Sequence, residues 1–373
     1  MEFFEGIWFH VILFLILITV LVFVHEMGHY LVARWNGVRV EVFSIGFGPE
    51  VVGWTDRHQT RWKISLIPLG GYVKMFGEML VPEKEPGAET SSMSPAERAV
   101  AFNTKRLGQR SAVVVAGPIA NFLFAVVVFA LLFSTFGQSY TVPKVTSVMP
   151  ESAAERAGLR PGDVFKVIDG MAIDRFEDVQ RIVGLRPNVP LEIVVLRDGR
   201  EVTLTATPVL KELKDSRGKI VQRVGLLGVH GSARESVRHD PVTAVWRAGK
   251  ETVDLTFATL TAVGQMIAGT RPADEIGGPL RIAKFTGDVA QRNLPDLIWF
   301  MAYISINLGL INLFPIPMLD GGHLLFYMAE MVRGRPLGAR AQEYGFRLGW
   351  VLVLTLIVFV MWNDIVYLGW INF

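Results

Sequence analysis

The chain has 373 residues, of which 51% are hydrophobic and 19% are charged, and its mean hydropathy is +0.37. Average soluble proteins carry about 25% charged residues, so this composition excludes a disordered chain and argues against an ordinary soluble enzyme. The formal net charge of +2 is too small to indicate a nucleic-acid partner. The sequence contains no cysteine, so any metal ligands must be His, Asp or Glu.

Four clusters of apolar residues are candidates to cross a bilayer, which takes about 20 residues as an α-helix. They are Ile7–Val24, Ala112–Phe133, Leu297–Met318 and Leu348–Trp362, and the last qualifies if Asp364 lies at the membrane interface. The first segment could instead be a cleaved signal peptide. It has neither a basic start nor a small-residue cleavage site, so we expect it to be retained.

The distribution of Lys and Arg predicts the orientation, since these residues favour the cytoplasmic side. They are concentrated in 31–110 and in the short loop before the fourth segment, whereas residues 1–6 have none. Both termini and the large region 137–296 are therefore predicted to be extracytoplasmic. The four helices are predicted to be surrounded by the lipid bilayer.

Alternating apolar and polar residues in the cytoplasmic loop predict a small β-sheet against the inner membrane face. Gly70 and Gly71 belong to this region, and we consider both as candidate substrate-binding positions. The stretch 80–95, with Pro, Glu and Ser, is typical of a linker. The predicted strands are 38–42, 50–55 and 61–66, with a turn at 56–60.

The first part of the outer region has an α+β pattern, with a hairpin predicted through Asp198 and Gly199. The order of elements and the run AGLRPGDVFKVIDG resemble a PDZ domain of the bacterial protease type over Tyr140–Leu210. PDZ domains bind extended peptides along a sheet edge, but the familiar Gly-Leu-Gly-Phe carboxylate loop is not visible in this sequence. Beyond it, 241–268 is too charged to span a membrane and predicts an amphipathic helix.

The string His25-Glu26-Met27-Gly28-His29 indicates a metal site. Residues four apart differ by about 40° in direction on a helix, so both imidazoles face one point. Two neutral His ligands suit Zn²⁺, and Glu26, about 100° round from His25, is placed to act as a general base. Structural histidines are the alternative, but ionisable groups are costly at the end of a membrane helix.

A catalytic zinc site needs a third protein ligand. Asp320 is the best candidate, because it lies at the inner end of the third segment and the His pair lies at the inner end of the first. His323 is the rival ligand. Pro315 and Pro317 break the third segment, and the freed backbone there, with Asn307 and Asn312, could hydrogen-bond an extended substrate.

These motifs together resemble the site-2 protease family, and the bacterial RseP-type regulated intramembrane proteases most closely. The resemblance rests on HEMGH, on NLGLINLFPIPMLDGG, and on IPLGGYVKM at 67–75 and AGPIANF at 116–122. It implies a zinc protease with four membrane helices that cuts single-span membrane proteins after an upstream site-1 protease has removed their outer domain. Anti-sigma factors and signal-peptide remnants are the typical substrates, and stress response is a typical role.

The resemblance also implies residue roles. His25, His29 and Asp320 match the zinc ligands, and Glu26 matches the catalytic glutamate. Asn307, Asn312 and Pro315 match positions linked to substrate handling, and 61–76 matches the membrane-associated β-region. Several relatives have two tandem PDZ domains, whereas this chain has room for one.

The predicted fold class is thus a polytopic α-helical membrane protein with a cytoplasmic, membrane-associated β-sheet and an extracytoplasmic α+β PDZ-like domain. We expect it in the bacterial inner membrane, with the active site near the cytoplasmic side. The alternatives are a non-enzymatic membrane PDZ adaptor, an inactive homologue, and an anchored metalloprotease with soluble substrates. The predicted divisions are 1–30 (first helix), 31–110 (β-region and linker), 111–136 (second helix), 137–212 (PDZ-like domain), 213–296 (linker with amphipathic helix), 297–328 (third helix), 329–346 (loop) and 347–373 (fourth helix).

Overall fold

The structure, a computed structural model, describes residues 2–78, 93–214, 220–231, 234–269, 273 and 276–369. It contains two compact units. The helical unit comprises Met1–Leu131, Val245–Thr259 and Asp274–Phe373, and the sheet unit comprises Leu132–Ala244 and Leu260–Ala273.

In chain order the helices are α1 (Glu2–Trp35), α2 (Pro95–Val100), α3 (Leu107–Thr135), α4 (Ala153–Arg156), α5 (Phe176–Gly184), α6 (Pro241–Ile267), α7 (Pro279–Arg292), α8 (Leu294–Asn312), α9 (Asp320–Arg333) and α10 (Ala339–Tyr367). The strands are β1 (Val40–Thr55), β2 (Arg61–Met75), β3 (Gln138–Thr141), β4 (Val145–Val148), β5 (Val164–Ile168), β6 (Met171–Ala172), β7 (Leu191–Arg197), β8 (Arg200–Ala206), β9 (Val209–Lys214), β10 (Ile220–Leu226), β11 (Val229–Gly231) and β12 (Arg234–Val237).

Within the described residues, four helices are long and apolar enough to cross a membrane, namely α1, α3, α8 and α10. They correspond to the four apolar segments of the sequence. The segment predicted as one helix at 297–328 is divided, because α8 ends at Asn312 and α9 begins at Asp320. Pro315 and Pro317 lie in the connection, where neither can supply a backbone N–H to continue the helix.

The β-region predicted to be cytoplasmic is formed by the antiparallel hairpin of β1 and β2, which are both longer than the predicted strands. Residues 50–55 pair with 61–65 across the predicted turn at 56–60, and residues 40–45 pair with 71–75. The turn is closed by Asp56, whose carboxylate accepts hydrogen bonds from the backbone of His58 and Thr60 at 2.8 and 3.0 Å. The base of the hairpin packs on α1 through Phe43, which is 1% exposed. The predicted linker at 80–95 lies mostly outside the described residues, and α2 begins at Pro95 after a capping box made by Ser94 and Glu97.

The sheet unit is built on a four-stranded sheet in the order β6-β5-β7-β8, with α5 packed against its apolar face. The hairpin of β7 and β8 turns at Asp198 and Gly199, which both have positive φ, as the sequence predicted. Asp163 at the start of β5 is 1% exposed and accepts two hydrogen bonds of 2.8 Å from Arg197. That pair ties the start of β5 to the end of β7.

The sheet unit extends well beyond residue 212, where the PDZ-like domain was predicted to end. β9 pairs with β10, β11 pairs with β4, and β12 pairs with β3. The strand stretch from Gly225 to Gly231 passes close to α5: a Cβ at Gly225 would overlap the Val183 carbonyl, and one at Gly231 would lie 2.8 Å from the Phe176 ring. The pairings of β11 with β4 and of β12 with β3 join segments about 80 to 100 residues apart, which a local pattern does not reveal.

The segment that follows the strands contains two helices, of which the sequence predicted one. α6 corresponds to the helix predicted at 241–268 and begins after the capping residue Asp240. α7 was not predicted. Its first turn donates backbone hydrogen bonds to Asp364 of α10, from Gly278, Leu280 and Arg281 at 2.8–3.0 Å. Asp364 is 0% exposed, so protein encloses its carboxylate on all sides.

Candidate metal centre

α1 places His25 and His29 on one face, one turn apart. Their ring centroids are 4.8 Å apart and their Nε2 atoms 3.2 Å apart, and each residue is only 8% exposed. The Nδ1 atom of His29 lies 2.8 Å from the carbonyl oxygen of Val113 on α3. A carbonyl only accepts, so this Nδ1 carries the proton, and Nε2 of the neutral ring presents a lone pair.

Asp320 reaches the two histidines from the first residue of α9. Its Oδ2 atom lies 3.2 Å from Nε2 of His25 and 3.5 Å from Nε2 of His29. The connection from α8 folds tightly over the start of α9: a Cβ at Gly321 would overlap the Phe314 carbonyl oxygen, and one at Gly322 would lie 2.6 Å from Cα of Pro317. The two glycines after Asp320 are therefore required for the carboxylate to be brought here.

The donor set fits a metal ion. His25, His29 and Asp320 each offer one ligand atom, and these atoms all lie within 4.8 Å of one another. Oδ2 of Asp320 is buried, and neither ring is oriented to give it a hydrogen bond. Electron-pair donors facing one another at this distance repel unless a cation lies between them, and a His₂-carboxylate set suits Zn²⁺.

α3 closes the site from one side because small residues let it approach α1. A Cβ at Gly28 would lie 2.7 Å from Cβ of Ala120, and one at Gly117 would overlap His29 Nε2 and lie 2.9 Å from Cε1 of His25. Asn121, one turn further along α3, places its amide nitrogen 3.1 Å from Nδ1 of His25. The two histidines thus lie against a stripe of α3 at positions 113, 117 and 121.

Glu26 points towards the β-hairpin rather than into the donor set. A Cβ at Gly71 of β2 would lie 3.4 Å from Cγ of Glu26, and the Glu26 carboxylate accepts a backbone hydrogen bond from Val73. Gly70 has a φ of +105°, and a Cβ there would lie 2.5 Å from the Phe47 ring. The strand β2 therefore runs beside Glu26, with no side chain of its own at position 71.

The other predicted residues lie at different distances from this centre. The amide nitrogen of Asn312 is 3.5 Å from Nε2 of His25, so Asn312 borders the donor set. Asn307 accepts a hydrogen bond from Thr259 at 3.2 Å and donates one to the Tyr303 carbonyl at 2.8 Å. Pro315 lies in the connection between α8 and α9.

His323, the rival ligand, is outside the group of converging donor atoms, and its ring lies 5.6 Å from that of Phe346. The motif AGPIANF at 116–122 includes Gly117 and Asn121, which both contact the histidine pair, but the sequence predicted no role for either. Val113 could not be found from the sequence at all, because it contributes a backbone carbonyl rather than a side chain.

The convergence of two histidines and a carboxylate in a chain with four apolar, membrane-length helices is typical of a membrane metalloprotease. The profile of peptidase family M50 matches residues 13–356. The chain is 44% identical over 361 residues, 95% of both chains, to a protein of Agrobacterium fabrum named "Putative zinc metalloprotease Atu1380". It is also 37% identical over 375 residues, 94% of both chains, to "Metalloprotease MmpA" of Caulobacter vibrioides.

The chain therefore belongs to peptidase family M50, the site-2 protease family. This confirms the family predicted from the sequence motifs. The family is zinc-dependent, which also confirms zinc as the expected cofactor.

Gly117 provides a direct test of this packing. We expect Gly117→Ala to lose bound zinc, because the added methyl group overlaps His29 Nε2. The matched control is Gly108→Ala on the same helix, where an added Cβ meets no described atom within 4 Å apart from its chain neighbours and the local helix backbone. Both changes raise intrinsic helix propensity by about 1 kcal/mol, so propensity does not distinguish them. Zinc per protein, measured by elemental analysis of the purified full chain, should fall only for Gly117→Ala; equal zinc in both variants would contradict the packing.

Proposed function

We propose that the chain is an intramembrane zinc endopeptidase that cleaves membrane-spanning segments of single-span proteins. The observation that carries the proposal is the convergence of His25, His29 and Asp320 from two separate helices inside the helical unit. Glu26 lies on the adjacent face of α1, against a β-strand. Such a site suits a peptide bond presented in extended form beside the metal.

Metal binding and proton transfer are assigned to different residues. His25, His29 and Asp320 hold zinc, which when bound acts as a Lewis acid that activates water and polarises the scissile carbonyl. Glu26 takes the proton from the attacking water and later gives it to the leaving amine. Its direction on the helix, away from the other three donors, supports this separation of roles.

The substrate is held as an extended strand along β2. A peptide bond inside an α-helix is covered, and its carbonyl is already hydrogen-bonded, so a protease must unwind it at a cost in backbone bonds. A neighbouring strand provides replacement bonds. Gly70 and Gly71 lie where β2 passes Glu26, and the amide of Asn312 borders the metal centre. Asn307 and Pro315 complete the proposed substrate-handling set.

We place the protein in the bacterial inner membrane, with both termini and the sheet unit outside and the metal centre near the cytoplasmic side. The asymmetry of Lys and Arg supports this orientation. Substrates of the anti-sigma-factor and signal-peptide-remnant type would reach the site after an upstream protease has cut them outside the membrane. The physiological role would be regulated intramembrane proteolysis in transmembrane signalling and stress response.

The sheet unit, which resembles a PDZ domain, limits access by size. It follows α3 directly in the chain, and α6 follows it, so a substrate with a large outer domain would collide with it. Steric exclusion requires no specific peptide affinity. Capture of a newly made C-terminus is the competing activity of such a domain.

The proposed activity is tested by cleavage of a tagged single-span reporter with purified protein, with and without a chelator. Glu26→Gln should abolish cleavage and keep bound zinc, because the amide cannot take a proton from water. His25→Ala should reduce both zinc and cleavage. If Glu26→Gln loses its zinc together with its activity, Glu26 is a ligand and not the base. No cleavage by the zinc-loaded wild-type chain, across several reporters, would reject the function.

The third ligand is tested by a pair of variants on α9. Asp320→Asn should weaken zinc retention and cleavage, because the carboxylate supplies both charge and a ligand oxygen. His323→Ala, one turn further along the same helix, should keep zinc, since its ring contacts Phe346 rather than the donor set. The measurement is zinc content after dialysis against a chelator. Loss of zinc in His323→Ala but not in Asp320→Asn would mean that the ligand assignment is reversed.

Size exclusion is tested by excising the sheet unit at a position set by strand pairing. Gln138 and Val237 are paired across β3 and β12, so a short glycine linker can replace 138–237 without stretching the chain. The excised enzyme should cleave reporters with outer domains of every size, whereas the intact enzyme should cleave only those with short stubs. A size limit that persists after excision would contradict exclusion, and weaker cleavage of trimmed reporters would favour capture. Zinc content serves as the control that the helical unit still folds.

A further inference from the structure

Asn121 is a buried polar residue beside the metal centre to which the proposed mechanism gives no role. It is 0% exposed, and its amide nitrogen lies 3.1 Å from Nδ1 of His25. Its amide oxygen is buried and has no hydrogen-bond partner in the described part of the chain. A buried side-chain amide normally has partners for both its nitrogen and its oxygen, so the unpaired oxygen of Asn121 needs an explanation.

The amide has two orientations, and each selects one tautomer of His25. With its nitrogen towards the ring, Nδ1 must accept and the ring proton lies on Nε2, which faces Asp320 at 3.2 Å. With its oxygen towards the ring, Nδ1 carries the proton, and the lone pair of Nε2 faces the donor set. Only the second arrangement allows Nε2 to bind a metal ion. Half a turn about the last side-chain bond interchanges the two, because the amide oxygen and nitrogen are nearly equal in size.

His29 already has the partner that this arrangement requires. Its Nδ1 donates to the Val113 carbonyl at 2.8 Å, which fixes its Nε2 as the metal-facing atom. Among the residues that the structure describes, the group beside Nδ1 of His25 is the side-chain amide of Asn121 rather than a backbone carbonyl. Metal-binding histidines almost always donate their second ring N–H to a carbonyl or carboxylate.

The backbone of Asn121 is held from the other side by α8. The hydroxyl of Ser305 donates to the Asn121 carbonyl at 3.0 Å, and a Cβ at Gly309 would lie 3.2 Å from Cβ of Asn121. This close packing leaves Asn121 little freedom beyond rotation of its amide. The residue is therefore supported by one helix while it contacts a histidine on another.

We propose that Asn121 is a positioning residue, whose side-chain oxygen accepts the Nδ1 hydrogen of His25 and so holds that ring in its zinc-binding tautomer. The proposal rests on the proposed zinc site at His25, His29 and Asp320. It assigns Asn121 no contact with substrate. Asn121 would accept the Nδ1 hydrogen of His25, as the Val113 carbonyl accepts that of His29.

The test compares zinc affinities of the full-length chain in detergent, stripped of metal and titrated with Zn²⁺ against a competing chelator. Asn121→Leu is nearly isosteric and removes the acceptor, so it should weaken zinc binding by about 10- to 100-fold. Asn121→Asp can only accept, so it should bind zinc at least as tightly as the wild type. Ser305→Ala is the matched control: it removes a buried hydrogen bond to Asn121 but leaves the bond to His25, and its zinc affinity should stay close to wild type.

Thermal unfolding of the metal-free variants separates positioning from stability. A purely structural role would lower the unfolding temperature of Asn121→Leu and leave its zinc affinity unchanged, and this result would overturn the proposal. Zinc binding by Asn121→Asp as weak as by Asn121→Leu would also overturn it; should Asn121→Leu fail to fold, the comparison of Asn121→Asp with wild type decides. A wild-type chain that binds zinc but cleaves no reporter would reject the proposed function and leave this comparison of affinities intact.

Discussion

The site depends on the repulsion among three electron-pair donors that the helices hold together away from water. Two imidazole nitrogens and a carboxylate oxygen lie within 3.5 Å of one another in a buried setting, where unpaired polar atoms are costly. A cation turns that repulsion into attraction, so a bound metal ion would stabilise the arrangement. Close packing of the helices holds the three donors together despite this repulsion.

Small residues and breaks between helices make this close packing possible. Gly28 and Gly117 let α1 and α3 approach until backbone and imidazole touch, as small residues do between membrane helices. Gly321 and Gly322 let the connection after α8 fold over the start of α9, which aims Asp320 at the histidines. A carboxylate in the first turn of a helix is also favoured by the helix dipole. The three candidate ligand residues thus come from two helices, His25 and His29 from α1 and Asp320 from the first residue of α9.

The sequence predicted the parts of the site that depend on local spacing. His25, Glu26 and His29 lie within one turn or so of a single helix, so their directions follow from helix geometry alone. Asp320 was reached only by elimination and depth, because its approach depends on how two distant segments pack. The roles of Val113 and Asn121 could not be predicted, since one acts through its backbone and the other through the tautomer of its neighbour.

The same limit applies to the fold. The membrane helices were evident from runs of apolar residues, and the hairpin of β7 and β8 from its turn. β11 and β12 were missed because each is short and is stabilised by a strand near the start of its unit. α7 was missed because its first turn is capped by Asp364, a residue 84 positions further along the chain from Leu280.

That distant cap has a consequence for how the protein is made. During synthesis the chain emerges in order, so α7 is translated long before the helix that carries Asp364 has entered the membrane. Until then the first backbone N–H groups of α7 have no carboxylate to accept their hydrogen bonds. The order of translation is therefore not the order of structural completion: the cap at the start of α7 is complete only after α10 has been made and has packed against it.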